Sequence, residues 1–288
     1  MRNTFPILIV IFSLILAWYA GAFMMNKKWS YDQAQRAGVE LTLTEVFTDT
    51  MAQPRPVLPA PHQVAVNFWE TTVEKKITSR RSLVFHGWIT LKATLTGFIF
   101  GTILGTLLAV GIVYSRVMDM SILPWAIISQ TVPIVAIAPM IVVLSNSVGI
   151  EDRLVPKTII SAYLSFFPVL VSMIKGLRSP DQMQLDLLRT WGAGKAQTFW
   201  KLRLPGSMPF FFAALKIGIA ASLVGAIVGE LPTGAIRGLG ARMLIGSQFG
   251  EPILIWSALI AAALLAAALV LIVGTIQKVT LKRMGMAQ

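Results

Sequence analysis

A lysine directly follows a Gly-Ala-Gly run in RTWGAGKAQTFWKLRLPG, Arg189 to Gly206. Glycines and a lysine can cradle a nucleotide's phosphates when a Ser or Thr follows to hold Mg. That pattern needs Gly, four residues, Gly, Lys, then Ser or Thr, at the end of a strand. Here Ala196 follows Gly194-Lys195, Arg189 stands where the first glycine belongs, and a long apolar run precedes in place of a strand. The hydroxyl and the first glycine are both missing, so this stretch is not expected to bind nucleotide. His62 and His86 are the only histidines, neither has a convincing carboxylate partner, and there is no cysteine. No spacing suits a metal site, so catalytic and metal-binding residues are expected to be none. What remains are two charges in apolar surroundings, Lys216 and Glu230. An ionisable group inside a membrane span is a functional candidate by default, as Glu230 is, while Lys216, near the cytoplasmic end of its span, is expected to snorkel to the interface.

The elements that position these groups follow from the charge pattern. The 288 residues are 55% hydrophobic and only 13% charged, about half the charge of an ordinary soluble domain. Arg2 and Lys27 enclose 24 uncharged residues, Lys92 and Arg116 enclose 23, Asp119 and Glu151 enclose 31, Lys157 and Lys175 enclose 17, and Glu251 and Lys278 enclose 26. Leu204 to Gly229 adds an apolar stretch broken only by Lys216. Each is long enough as a helix to cross about 30 Å of hydrocarbon. The expectation is an all-α integral membrane protein with six transmembrane helices. Its parts are a first helix (1–26), a loop (27–86), a five-helix core (87–278) containing a loop at 176–206, and a tail (279–288). The first segment is too long for a secretory signal core and is expected to be a retained span.

Six spans put both termini on one side. That side and the 175–205 loop together carry eleven Lys/Arg, against four (Arg153, Lys157, Arg237, Arg242) in the short opposite loops. Basic residues stay cytoplasmic, which places the termini and that loop inside. The 27–86 loop carries eight basic residues and has the length at which translocation ceases to follow charge. The net charge of +12 forms no aromatic-interleaved patch, so it points to anionic lipid and a bilayer, with no nucleic acid partner. Within the 27–86 loop, four prolines between Pro54 and Pro61 predict a stiff extended segment. Val66, Trp69, Val73 and Ile77 then recur at helical spacing, as in an amphipathic helix lying at the outer surface or packed on the rest of the protein.

Small residues recur every four positions at Gly97, Gly101, Gly105 and Ala109, and again at or near that spacing at Gly218, Ser222, Gly225 and Gly229. Such stripes let helix backbones approach closely within one subunit, along a conduit or at a dimer seam. Pro133 and Pro139 interrupt the longest apolar stretch, which predicts a kinked core helix or one lining the pathway. Around the opening stretch, Leu185, Leu187 and Leu188 precede Gly192, and Phe199, Trp200, Leu202 and Leu204 follow it. Two short helices joined at Gly192-Ala193-Gly194 would form an apolar knob ringed by basic residues, the kind of surface that docks into a partner.

The register of that knob resembles the cytoplasmic coupling loop of permease subunits of ATP-binding-cassette (ABC) importers. That signature reads Glu-Ala-Ala, three residues, Gly, nine residues, Ile, one residue, Leu-Pro. This chain has Asp186-Leu187-Leu188, three residues, Gly192, nine residues, Leu202, Arg203 and Leu204-Pro205. LPAPHQV (58–64), HGWITL (86–91), VPIVAIAP (132–139) and GELPTGAIRGLG (229–240) resemble the nitrate, sulfonate and taurine branch, so the resemblance runs from about residue 55 to the end. It implies a type I ABC importer permease fold in a bacterial inner membrane. It also implies that the chain is not an enzyme, that ATP and Mg sit on a separate ATPase dimer, and that a second permease copy and an extracytoplasmic substrate-binding protein complete the machine. On this resemblance Asp186, Leu187, Leu188, Gly192, Ala193, Leu202, Leu204 and Pro205 form the ATPase-coupling loop. Pro133, Pro139, Gly229 and Glu230 are candidates for the pathway or gate. The implied cargo is a small organic anion or a nitrogen-containing small molecule such as a pyrimidine vitamin precursor. The rival class, an ion-coupled secondary transporter, would show two similar halves and more ionisable groups within its spans.

Overall fold

A computed structural model describes residues 4–150, 152–232 and 237–286. Among these residues all regular structure is helical: α1 (Thr4–Ala37), α2 (Leu43–Ala52), α3 (Pro61–Trp69), α4 (Leu83–Tyr114), α5 (Arg116–Ser129), α6 (Ile134–Ser147), α7 (Leu154–Leu177), α8 (Gln182–Thr190), α9 (Lys195–Thr198), α10 (Leu204–Glu230), α11 (Leu239–Phe249) and α12 (Pro252–Arg283). Single π-helical turns follow α3 (Glu70–Glu74) and α9 (Phe199–Arg203). Among the described residues five helical stretches are long and apolar enough to span a bilayer, and α5 with α6 makes a sixth if the pair is one broken span. This is the all-α, multi-span architecture that the charge pattern predicts.

The chain forms two compact units, residues 87–240 with 263–288, and residues 1–86 with 241–262. In the first unit, α7 is held between α4 and α10. Both small-residue stripes meet it. A Cβ placed on Gly97 would lie 2.2 Å from Ser161 Cβ, on Gly101 2.1 Å from Ser165 Oγ, and on Gly105 2.6 Å from the Phe166 carbonyl. On α10, a Cβ on Gly225 would lie 2.7 Å from Ser161 Cα. Lipid tails supply no hydrophobic drive for helix association, so this close backbone approach and its dispersion contacts hold the three helices together. Hydroxyls add to it: Ser161 Oγ donates to the Ser222 carbonyl (2.9 Å) and Ser222 Oγ to the Thr94 carbonyl (2.8 Å). Toward one end the core fills with Ile112, Phe166, Leu170, Met173 and Leu177.

The long apolar stretch is broken more sharply than a kink. The axes of α5 and α6 differ by 100° across a break of at most four residues. Pro133, at φ −62° and ψ 119°, occupies the N-cap of α6, where its missing N–H costs nothing. Pro139 lies inside α6. The Tyr163 hydroxyl donates to the Ser129 carbonyl at the end of α5, and Arg178 pairs with Asp119 at 2.9 Å. These two bonds fix both ends of α5 against α7.

In the second unit α1 continues as helix well past Lys27 and Lys28, to Ala37. Its most apolar window is only 6% buried, while its distal half packs against α2. The proline-rich segment is non-helical and is gripped by one buried side chain. Asn26 Nδ2 donates to the Leu58 carbonyl (2.9 Å), and its Oδ1 accepts from the backbone N–H groups of Val57 (2.8 Å) and Leu58 (3.2 Å). Trp18 Nε1 donates to the Pro59 carbonyl at 3.0 Å. Proline-rich backbone has few internal hydrogen bonds, so these external partners set its path. Asn26→Ala removes three part-buried hydrogen bonds, each worth about 0.5–1.5 kcal/mol. It is expected to speed amide exchange at Val57 and Leu58 by tenfold or more, roughly the equivalent of 1.4 kcal/mol, as read by hydrogen–deuterium exchange mass spectrometry. Val66 and Trp69 on α3 and Val73 on the π-helical turn are exposed, and Ile77, expected on the same helix, is exposed in the turn beyond it.

Candidate functional site

Most of the residues singled out by sequence fall into two groups at different places in the residue 87–240 unit. The first is the knob. Asp181 caps α8, its carboxylate accepting from Met183 N. Gly192 ends the helix at φ +71°, a left-handed conformation that side-chain-bearing residues rarely adopt. The Gly192 N–H donates to the Arg189 carbonyl and the Ala193 N–H to the Leu188 carbonyl, both at 2.9 Å, the pair of bonds that defines a Schellman stop. Gly194 then opens α9, its N–H donating to Gln197 Oε1 at 3.2 Å.

The knob is anchored, not hung. Phe199 packs edge-on against Tyr114 at the end of α4, with centroids 6.1 Å apart. Arg203 lies over the Tyr114 ring at 5.7 Å and donates from Nη1 to the Leu177 carbonyl at 2.9 Å. The knob is thereby held to α4 and α7 as well as along the chain to α10. Asp186 faces Arg189 at 3.0 Å on the open surface and is not the helix cap. Leu187 is exposed, whereas Leu188, Ala193, Leu202, Leu204 and Pro205 are half-buried and hold the knob together. The most exposed large apolar groups are Met183 (79%), Trp191 (73%) and Trp200 (66%). The apolar pattern of the sequence singles out Trp200 but not Met183 or Trp191. Trp191 has a legible signal, since the residue before a helix-stopping glycine stands at the helix end.

The second group surrounds Glu230, which is fully buried at the end of α10. Thr90 Oγ1 on α4 donates to it at 2.9 Å, the Gly240 N–H donates at 2.8 Å, and Lys157 Nζ on α7 stands 3.5 Å away. Lys157 also donates to the Arg237 carbonyl at 3.3 Å, and the Leu239 N–H donates to Thr90 Oγ1 at 2.9 Å. The carboxylate thus ties together α4, α7, α10 and the start of α11. Gly238 at φ +131° leaves the space: a Cβ there would lie 2.1 Å from Glu230 Oε1. Gly229 lies against Lys157, 3.2 Å from its Cα by the same measure. Residues 233–236 of the GELPTGAIRGLG motif lie outside the described residues.

Pro133 and Pro139 are placed differently, on the exposed surface of the α5–α6 pair. Pro139 lines an apolar surface cavity of about 530 Å³ with Met140, Val143 and Leu144. The four candidate pathway residues therefore divide into an exposed proline pair and a buried Gly229–Glu230 pair. Lys216 is half-buried against Gly274 of α12. Among the described residues no group of three His, Asp or Glu side chains could hold a metal ion.

A bundle of apolar spans fastened at one end by a buried ion pair, with an anchored apolar peg built from the loop between two spans, has the build of a membrane permease subunit. The family described as binding-protein-dependent transport system inner membrane component matches residues 101–286, and the chain belongs to that family. The probable ABC transporter permease protein of Haemophilus influenzae is 29% identical over 77% of this chain and 85% of its own length. The formylaminopyrimidine transport permease protein of Halalkalibacterium halodurans is 31% identical over 74% of this chain and 80% of its own. The riboflavin transport system permease protein of Chloroflexus aurantiacus is 28% identical, over 78% and 80%. The chain is therefore a multi-pass ABC-importer permease component with the type I importer fold.

Proposed function

We propose that this chain forms the translocation pathway of an ATP-driven importer, working as a homodimer in a bacterial inner membrane with both termini cytoplasmic. ATP and Mg belong to a separate ATPase dimer that seats on the α8–α9 knob, and an extracytoplasmic binding protein delivers the cargo. The observation that carries this reading is the knob itself: exposed Met183, Leu187, Trp191 and Trp200 on a turn locked by Gly192 and anchored to α4 and α7. A rigid peg transmits displacement where a floppy loop would absorb it. ATP closes the ATPase pair, the peg moves with its seat, and the spans exchange inward-open for outward-open, because ATP binds one state better than the other. Asp186, Leu187, Leu188, Gly192, Ala193, Leu202, Leu204 and Pro205 shape the peg. Gly229 and Glu230 hold the opposite end of α10 as part of a gate, and Pro133 and Pro139 shape the broken span beside the pathway. The cargo is a small solute, an organic anion or a nitrogen-containing molecule. The relatives named for formylaminopyrimidine and riboflavin favour the nitrogen-containing class.

Leu187→Asp with Trp191→Asp tests the docking. Co-purification of the partner ATPase and ATP-dependent uptake into vesicles are both expected to fall to background, with the melting temperature of the isolated permease unchanged. Retention of both by the double variant overturns the reading.

A further inference from the structure

The knob and the end of α4 also border a half-open cavity. It measures about 290 Å³, and its wall includes Val113 and Tyr114 from the end of α4, Arg189 from α8, and Lys195, Thr198 and Arg203 beyond the Gly192 turn. Three cations line one small space, and no carboxylate lines it. Asp186, which pairs with Arg189 at 3.0 Å, is not part of the wall. Arg203 is fixed by its Nη1 bond to the Leu177 carbonyl and by the Tyr114 ring, yet its Nε is buried with no acceptor among the described residues. Converging like charges repel one another, and a guanidinium with donors to spare is the group best matched to a phosphate's paired oxygens. Thr198 adds a hydroxyl. Val113–Tyr114, in the wall of the cavity, is also where the apolar run of α4 ends, the depth at which lipid headgroups lie.

We propose that this cavity binds a phosphate group, supplied by an anionic phospholipid headgroup or by free phosphate, and that the bound anion braces the knob against α4. The binding stands on the cavity alone. Its effect on coupling rests on the permease reading above.

The full chain is reconstituted without any ATPase in nanodiscs of phosphatidylcholine with or without phosphatidylglycerol. Native mass spectrometry then counts retained lipids, and thermal melting in phosphatidylcholine discs follows a titration with inorganic phosphate. The test variant is Arg189→Gln with Lys195→Gln, which leaves the anchoring bond of Arg203 in place. Lys282→Gln, outside the cavity, is the control. A headgroup ligand appears as retained phosphatidylglycerol that the test variant loses about tenfold or more and the control keeps. A free-phosphate ligand appears as a melting shift that the test variant abolishes. Either result supports the proposal. Equal retention and equal melting in wild type and test variant overturn it. So does silence in both arms accompanied by weakened ATPase affinity in the variant, which assigns the cavity to an acidic side chain of the ATPase. Because both binding arms omit the ATPase, failure of the docking reading leaves them interpretable.

Discussion

Gly101→Leu is expected to leave little folded protein after detergent extraction. Even a single Cβ at this position would lie 2.1 Å from Ser165 Oγ and 2.7 Å from the Ala162 carbonyl. The hydroxyl can rotate away, but the carbonyl belongs to the α7 backbone and cannot. Helix α4 must then stand off from α7, and the contacts at Gly97 and Gly105 open with it. Overpacking a well-filled core typically costs 1–3 kcal/mol. Here the loss extends along several turns, so a cost at or above about 3 kcal/mol is expected. Thermal melting in detergent and the yield of monodisperse protein measure it. Gly87→Ala, on the same helix with nothing within 4 Å of the added carbon, is expected to melt as wild type does. Equal melting of Gly101→Leu and Gly87→Ala would show that α4 and α7 do not pack as described.

The second large effect is expected at the buried pair. Glu230→Ala leaves Lys157, whose side chain is 5% exposed, with its ammonium buried and its carboxylate partner gone. Removing one member of a buried pair costs about 3–5 kcal/mol, and here the Gly240 N–H also loses its acceptor. Lys157→Met is expected to be damaging alone, since it removes the ammonium that faces the buried carboxylate at 3.5 Å. The double variant Lys157→Met with Glu230→Gln removes both charges while its amide oxygen still accepts from Thr90 and Gly240. It is expected to recover most of the loss, because replacing a buried pair as a unit is often neutral. The measurement is a double-mutant cycle on melting temperature, joined to uptake assays. A stable double variant that does not transport marks the pair as part of the moving gate, and one that transports normally restricts it to holding the fold.

Much of this was legible in the sequence, for a physical reason. A bilayer forbids charges over about twenty residues, so spans announce themselves as gaps between Lys, Arg, Asp and Glu. The close-packing stripes were equally readable, because four-residue spacing of Gly and Ser has one geometric meaning on a helix. The turn at Gly192 was readable too, since few other residues accept its φ. What charge gaps mark is where lipid ends, and helices do not stop there: α1 runs to Ala37 through Lys27, Lys28 and Arg36. The short α2 went unread, having too few residues for a periodic signal. The size of the α5–α6 bend was hidden because Pro133 fixes a break without fixing its angle. Thr90 and Lys157 could not be matched to Glu230 from sequence. They come from helices 140 and 73 positions away in the chain, and only the packing of α4 and α7 against α10 brings them together.

Helix α7 presents Ser161 both to Gly97 and to Gly225, and Ser165 to Gly101, so one column of small side chains serves two neighbours at once. Such a column cannot drift one site at a time. A larger residue at position 161 would have to be matched in α4 and in α10 within the same lineage, and neither glycine has a methyl left to give up. Descendants of this chain should therefore vary freely along the lipid-facing sides of these helices and hold still along this seam.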